Sequence, residues 1–226
     1  MGKVIILPET TKDPISLIGR RAGICWGSDV SDEKKNYARG LNCIKYNHGR
    51  TLEFVNIESI LWGYSARVIR EWYTHIGGSP TRLQASTRYV DYTNFEYVIP
   101  DTIKIEEQRM VYCDMMESIS KVAQVLEESG VPREDVAMLF PLGMSTKVVD
   151  KRNLRNVIDM SRQRMCSRAY WEYRMLFNDY INALKNISSE WEYIIETQMK
   201  SKCEVFGYCT EKHSCGRKPN KVNSKN

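Results

Sequence analysis

The sequence predicts an α+β fold in which helices outnumber strands. Long segments with apolar residues at helical spacing fill most of the second half, runs rich in β-branched and aromatic residues are few and short, and the two kinds do not alternate as in a parallel βαβ sheet. No G-x-G-x-x-G or P-loop glycine pattern occurs, so nucleotide binding of the Rossmann or P-loop type is not expected. With 226 residues, 42% apolar and 27% charged, the chain can bury a full core and is not a disordered tail protein.

The opening VIILP reads as a strand. Lys12 to Trp26 and Ser31 to Tyr46 read as helices, the second begun by Ser31-Asp32 as a cap with acids in its first turn. Thr51 to Leu61 alternates loosely, as a strand does. Ser65 can cap a helix running to about Ile76, where Gly77-Gly78-Ser79-Pro80 must break it. Arg88 to Ile99, rich in aromatic and β-branched residues, predicts a strand or an extended arm. A long helix from about Ile103 to Ser129 ends at Gly130, and a short helix follows Pro132 before a loop through Pro141-Leu142-Gly143. Asn153 to Asn186 supplies one or two helices, with Leu154, Ile158, Ser161, Met165 and Ala169 as an inward stripe, and Ser188 to Lys200 another.

The net charge of +5 is unevenly placed. Seven basic residues face three acids between Asp150 and Arg174, and five face one between Glu211 and Asn226, so the rest of the chain is net acidic. A nucleic-acid coat is not distributed like that, whereas one cationic helix suits a small anionic ligand. No apolar run reaches the roughly 18 residues of a membrane span, and no cleavage pattern follows the N-terminal apolar patch. A cytoplasmic protein with no membrane partner is therefore expected. Of the seven cysteines, Cys25, Cys43, Cys113 and Cys166 are scattered singly and read as reduced core thiols.

Chemistry could sit in three places. Arg67, Glu71 and His75, spaced i, i+4, i+8, would share a helix face that runs into the glycine turn, after which Thr81, Arg82, Gln84, Ser86 and Arg88 crowd hydrogen-bonding groups together. A solvated face and polar loop would look the same. His48 to Glu53 reads as a loop entering a strand, its histidine a donor to phosphate or an ordinary surface group. On the cationic helix, Arg164 and Arg168 stand one turn apart, with Asn153, Arg155 and Asp159 nearer its start. Arginines there hold phosphate or carbonyl in bidentate geometry, or snorkel past a neighbouring helix.

Taken together, H-G-R-T-L-E (His48 to Glu53), the R-E-W-Y-T-H-I helix end with its S-x-R-Y close (Ser86, Arg88, Tyr89), the F-P-L turn and the N-x-R…R-x-x-x-R-A-x-W-E helix resemble the flavin-dependent thymidylate synthases, in order and spacing from about residue 10 to 195. The resemblance implies a thymidylate synthase-complementing protein type of fold, helix-rich with a curved, mostly antiparallel sheet. It also implies a homotetramer that binds FAD and dUMP where subunits meet. The reaction it implies methylates dUMP to dTMP, or acts on a closely related pyrimidine nucleotide, with a methylene from methylenetetrahydrofolate and a hydride originating from NADPH, and needs no cysteine nucleophile. By position it implies that His48, Glu53, His75, Asn153, Arg155, Asp159 and Arg168 contact FAD. Gln84, Ser86 and Arg88 would hold dUMP, the last two at its phosphate, and Arg164 would contact the pyrimidine and polarise it as the catalytic group. The family's Arg-His-Arg is Thr74-His75-Ile76 here, Asp159 replaces the usual asparagine and Arg168 the common histidine.

The resembling domain is assigned to residues 1–200, leaving 201–226 as a basic tail carrying cysteine and histidine. Cys203, Cys209, His213 and Cys215 make the ligand set of a structural zinc site, though not at the common C-x2-C spacing, and reduced thiols on a frayed tail are the alternative. A different reading of the whole chain is a scaffold without catalysis that binds a nucleotide or nucleic acid through this tail.

Overall fold

The computed structural model describes residues 2–221. In chain order these form β1 (Lys3–Ile6), α1 (Pro14–Cys25), α2 (Glu33–Lys45), α3 (Gly49–Leu52), β2 (Asn56–Ser65), α4 (Ala66–Trp72) and β3 (Thr81–Gln84). There follow α5 (Glu106–Glu128), α6 (Arg133–Val136), β4 (Ser145–Asn153), α7 (Leu154–Arg164), α8 (Trp171–Lys185), α9 (Ser189–Gln198) and α10 (Lys202–Phe206). The strands pair antiparallel in the order β1-β2-β4-β3, which agrees with the expected α+β class.

The chain divides into two units. One contains Ile60–Thr74 and Arg82–Val149; the other contains Val4–Ser59, His75–Thr81 and the chain from Asp150 onward. In the first unit, Ser65 caps α4 by accepting from Val68 N at 3.2 Å, as expected. The helix stops at Trp72 rather than near Ile76, because its last carbonyls are taken by side chains: Thr74 Oγ1 donates to Glu71 O at 2.7 Å and Arg82 Nη1 to Tyr73 O at 2.8 Å. Residues 88–99 form no strand: they pass through turns near 88–90 and 93–94 and carry an isolated bridge between Tyr97 and Met144, just before β4. Phe95, Met116 and Met144 form a small buried cluster there, walled by Tyr97, Tyr112 and Phe140. The long helix α5 buries only Met116 and Ala123; Met110, Val111, Met115, Val122 and Val125 are exposed.

The second unit is built on a close crossing of α1 and α2. Asp32, as read from the sequence, caps α2 by accepting from Lys34 N at 2.9 Å. Helix α1 has Pro14 in its first turn and is capped from far along the chain: the Glu190 carboxylate accepts from Ile15 N at 2.6 Å and Ser16 N at 3.1 Å. Trp191, fully buried, donates its indole N–H to Thr11 O at 2.8 Å. Helices α8 and α9 supply Tyr173, Leu176, Phe177, Tyr180, Leu184 and Ile194 to the core.

Several expectations are corrected here. His48 to Glu53 is a short helix, not a loop entering a strand, and β2 begins only at Asn56. The polar run from Thr81 contributes β3, and residues 145–153, for which the sequence predicts no element before Asn153, form the long strand β4. The cationic helix ends at Arg164, so Met165 and Ala169 leave the inward stripe and Arg168 lies in the following turn. Cys43 is buried as expected, whereas Cys25 is exposed. The tail folds as far as it is described. Ser201 and Glu204 form a capping box on α10, Gly207 turns the chain at φ +78°, and Cys209 bridges to Asn220. Residues 222–226 of the expected tail lie outside the described residues.

The α1–α2 crossing depends on the absence of side chains. A Cβ at Gly40 would stand 1.9 Å from Ile15 O, and one at Gly19 1.7 Å from Asn36 O, both against backbone. Gly40→Ala is expected to destabilise the protein by about 3 kcal/mol, read from the midpoint of urea unfolding. Gly27→Ala, where nothing stands within 4 Å and only the positive φ resists, should cost about 1 kcal/mol.

Candidate functional site

The centre of the second unit's site is a cation with no exposure. Arg152 points inward from β4, and its side chain and that of Asp150 are both 0% exposed. The two meet in a fork, Nε to Oδ2 at 2.6 Å and Nη2 to Oδ1 at 3.1 Å. The remaining nitrogen donates to Asn156 Oδ1 at 2.7 Å and to the carbonyl of His75 at 3.0 Å. A guanidinium survives burial only when its donors are met in this way. The consequence is positional, since β4, the start of α7 and the turn at residue 75 are tied to one group.

Asn153 makes the corner between β4 and α7, accepting from Asn156 N at 2.9 Å as the helix cap. Its amide lies 3.5 Å from Gly78 O, and a Cβ on Gly78 would fall 2.2 Å from that nitrogen. Gly78 has φ +73°, so conformation and space both require glycine.

His75 lies beyond α4 and not on its face, so the expected Arg67–Glu71–His75 row does not exist. Arg67 and Glu71 pair with each other at 3.9 Å within the first unit. His75 instead accepts at Nε2 from Arg164 Nε at 2.9 Å. Accepting there requires a neutral ring with its proton on Nδ1. Burial, with Arg164 and then Arg152 nearby, pushes the imidazole down to about 4. Tyr173 completes the group: its ring lies 4.4 Å under the Arg164 guanidinium and meets His75 edge-on at 6.0 Å.

The segment at 48–53 comes to the same helix. Glu53 Oε1 accepts from Arg155 Nη1 at 2.6 Å, and the guanidinium of Arg155 lies over Gly49. His48 precedes α3 with its ring edge-on to Trp26 at 6.3 Å. A cavity of about 210 Å3 opens here, lined by Gly49, Arg50, Arg155, Asp159 and Arg162 among others. Asp159 pairs with Arg162 at 3.3 Å on its rim.

Arg168 turns toward the tail, donating to His213 O at 3.3 Å and facing Glu211 at 3.7 Å. The four expected zinc ligands, Cys203, Cys209, His213 and Cys215, are spread along the wall of a larger cavity. Among the described residues no group of three or more histidines, cysteines and acids is gathered as a metal set, which corrects the zinc expectation. Cys203 lies instead against Ser201 Oγ at 3.3 Å, and the Cys215 thiol is pushed below its usual range, chiefly by the Ser167 hydroxyl and with help from Arg217.

Gln84, Ser86 and Arg88 belong to the first unit. Gln84 Nε2 reaches Thr146 Oγ1 at 3.4 Å, Ser86 Oγ accepts from Arg88 N at 3.2 Å, and Arg88 pairs with Glu134 at 2.8 Å on the surface. Sequence reasoning missed Arg152 and Asp150. Both take inward positions along residues 145–153, and as charged residues they break the apolar alternation that would have marked the strand.

Two outcomes follow. Asp150→Ala, which strands a buried cation, should destabilise the protein by about 3–5 kcal/mol in urea unfolding. NMR titration of His75 should give a midpoint near 4, and Arg164→Gln should raise it without restoring 6.5, because burial is the larger cause. With the folded value below the unfolded one, stability falls as pH drops from about 6.5 toward 4 and levels off below.

Residues 6–188 match the family described as thymidylate synthase complementing protein. The flavin-dependent thymidylate synthase of Clostridium tetani is 29% identical over 214 residues, covering 83% of this chain and 84% of its own. That of Pyrococcus furiosus is 28% identical over 225 residues, 92% of this chain and 89% of its own. The fold matches the crystal structure of the flavin-dependent thymidylate synthase ThyX of Helicobacter pylori complexed with FAD and dUMP. That likeness has a TM-score of 0.68 at 19% identity and covers 88% of this chain and 100% of the other. With most of its length matched by the family and by relatives over most of their own, the chain belongs to the flavin-dependent thymidylate synthases.

Proposed function

We propose that this chain methylates dUMP to dTMP with FAD, taking the methylene from methylenetetrahydrofolate and the hydride from NADPH. The observation that carries the reading is the meeting, within one unit, of the 48–53 segment, the 75–78 turn and α7, joined by Arg155–Glu53, Asn153–Gly78 and Arg164–His75.

The residues present fit a flavin dinucleotide. The bare Gly49 beside Arg155 leaves open a cavity whose cations, Arg50, Arg155 and Arg162, are the donors a pyrophosphate needs. His48, Glu53, His75, Asn153, Arg155, Asp159 and Arg168 are the residues proposed to hold FAD. Bound there, the cofactor would supply the hydride that completes the methyl group.

The chain's own part is electrostatic. Arg164 is the proposed catalytic group, stabilising negative charge that builds on the pyrimidine carbonyl. His75 and Tyr173 set the direction of its guanidinium, so no reorganisation is needed as charge develops. Because His75 is neutral at working pH, it orients the arginine without adding a competing cation. Gln84, Ser86 and Arg88 are proposed to hold dUMP, the last two at its phosphate. Arg88 would exchange Glu134 for that phosphate at small cost, since an exposed ion pair is worth about 0–1 kcal/mol.

The assembly is proposed to be a homotetramer, supported by the row of exposed apolar residues on α5. We assign the chemistry to residues 1–200, with 201–226 as an appended segment, and place the enzyme in the cytoplasm. No helix among the described residues is long and apolar enough to cross a membrane.

Purified full-length protein should show flavin absorbance on adding FAD, perturbed by dUMP, and should release tritium from 5-labelled dUMP only when NADPH and methylenetetrahydrofolate are supplied. Arg164→Lys should keep the flavin and lower kcat about 100-fold. A protein that binds no FAD, and whose salt-sensitive nucleic-acid binding disappears on removing residues 203–226, would support the non-catalytic scaffold instead.

A further inference from the structure

A cavity of about 730 Å3 lies within the second unit between the end of α7 with its following turn and the folded tail. Its size is that of a nucleotide site. Arg162, Arg164 and Arg168 line it from one side, Lys202, Arg217 and Lys218 from the other, against the carboxylates Asp159 and Glu211. Six cations around one space repel each other, and two acids balance only part of that.

The partners already present are uneven. Arg162 faces Asp159 and Arg168 faces Glu211, while Arg217 holds the tail itself, donating to Met165 O at 2.9 Å and Ser201 Oγ at 3.2 Å. Lys202 and Lys218 form no ion pair among the described residues. Phe206 adds a 49% exposed ring to the same lining, stacked with Tyr208 at 5.8 Å and with Lys202 Nζ 5.9 Å from its centroid. Cations beside an exposed ring select for phosphate joined to a planar base, where a bare anion would use only the charge.

We propose that residues 201–221 form one wall of a binding site for a phosphorylated nucleotide, with Lys202 and Lys218 at its phosphates and Phe206 under its base. The inference rests on the function proposed above in one respect. That function needs a nucleotide reductant, NADPH, for which it names no residues, and this cavity would take its phosphorylated adenosine half.

The test uses the full chain and 2′,5′-ADP as probe, with inorganic phosphate beside it, by titration calorimetry. Lys202→Gln combined with Lys218→Gln leaves the Arg217 contacts that hold the tail and should weaken 2′,5′-ADP about tenfold and flatten its salt dependence. Phe206→Ala should weaken 2′,5′-ADP and leave inorganic phosphate unchanged, and Lys121→Gln, on α5, should change neither. Equal affinity of the double lysine variant and the unaltered protein for 2′,5′-ADP, or no binding of this probe, overturns the inference. A parallel FAD titration separates the two readings. Flavin binding with no lysine effect removes this proposal alone, and a lysine effect in a protein that binds no flavin supports it while removing the proposed function.

Discussion

A single buried guanidinium organises the second unit. Arg152 has no solvent to fall back on, so its donors must find Asp150, Asn156 and the carbonyl of His75 at the same time. Such a pair contributes little net stability against an apolar alternative, because desolvating both charges offsets their attraction. What it contributes is registration. The backbone at residue 75 cannot move without leaving a buried donor unmet, and the imidazole that orients Arg164 is carried on that backbone.

The same economy of charge appears in the first unit in a weaker form. Arg88 and Glu134 are both more than half exposed, so their pairing is readily exchanged. The contrast separates two kinds of arginine in one chain. Arg152 positions backbone, is buried and is held by several partners, whereas Arg88, proposed for a ligand, is exposed and faces Glu134.

Much of this was legible in the sequence where local rules are strong. Asp32 and Ser65 act as caps, Gly130 closes the long helix, and the left-handed turn at Gly78 stands where the glycine pair placed it. The strand β4 was not legible, because Asp150 and Arg152 occupy inward positions and break the apolar alternation by which strands are recognised. Their mutual neutralisation is a tertiary fact. The early end of α4 had a similar cause: Arg82 reaches back to Tyr73 O from nine residues on, and no local pattern reports that. The zinc reading failed for a geometric reason, since four ligand types within thirteen residues became a lining and not a cluster.

The carboxylate of Glu190 that closes the start of α1, and the indole of Trp191 beside it, reach their partners across 175 and 180 residues of chain. A nascent chain would hold α1 incomplete until α9 emerges, so the earliest segment made is among the latest to settle.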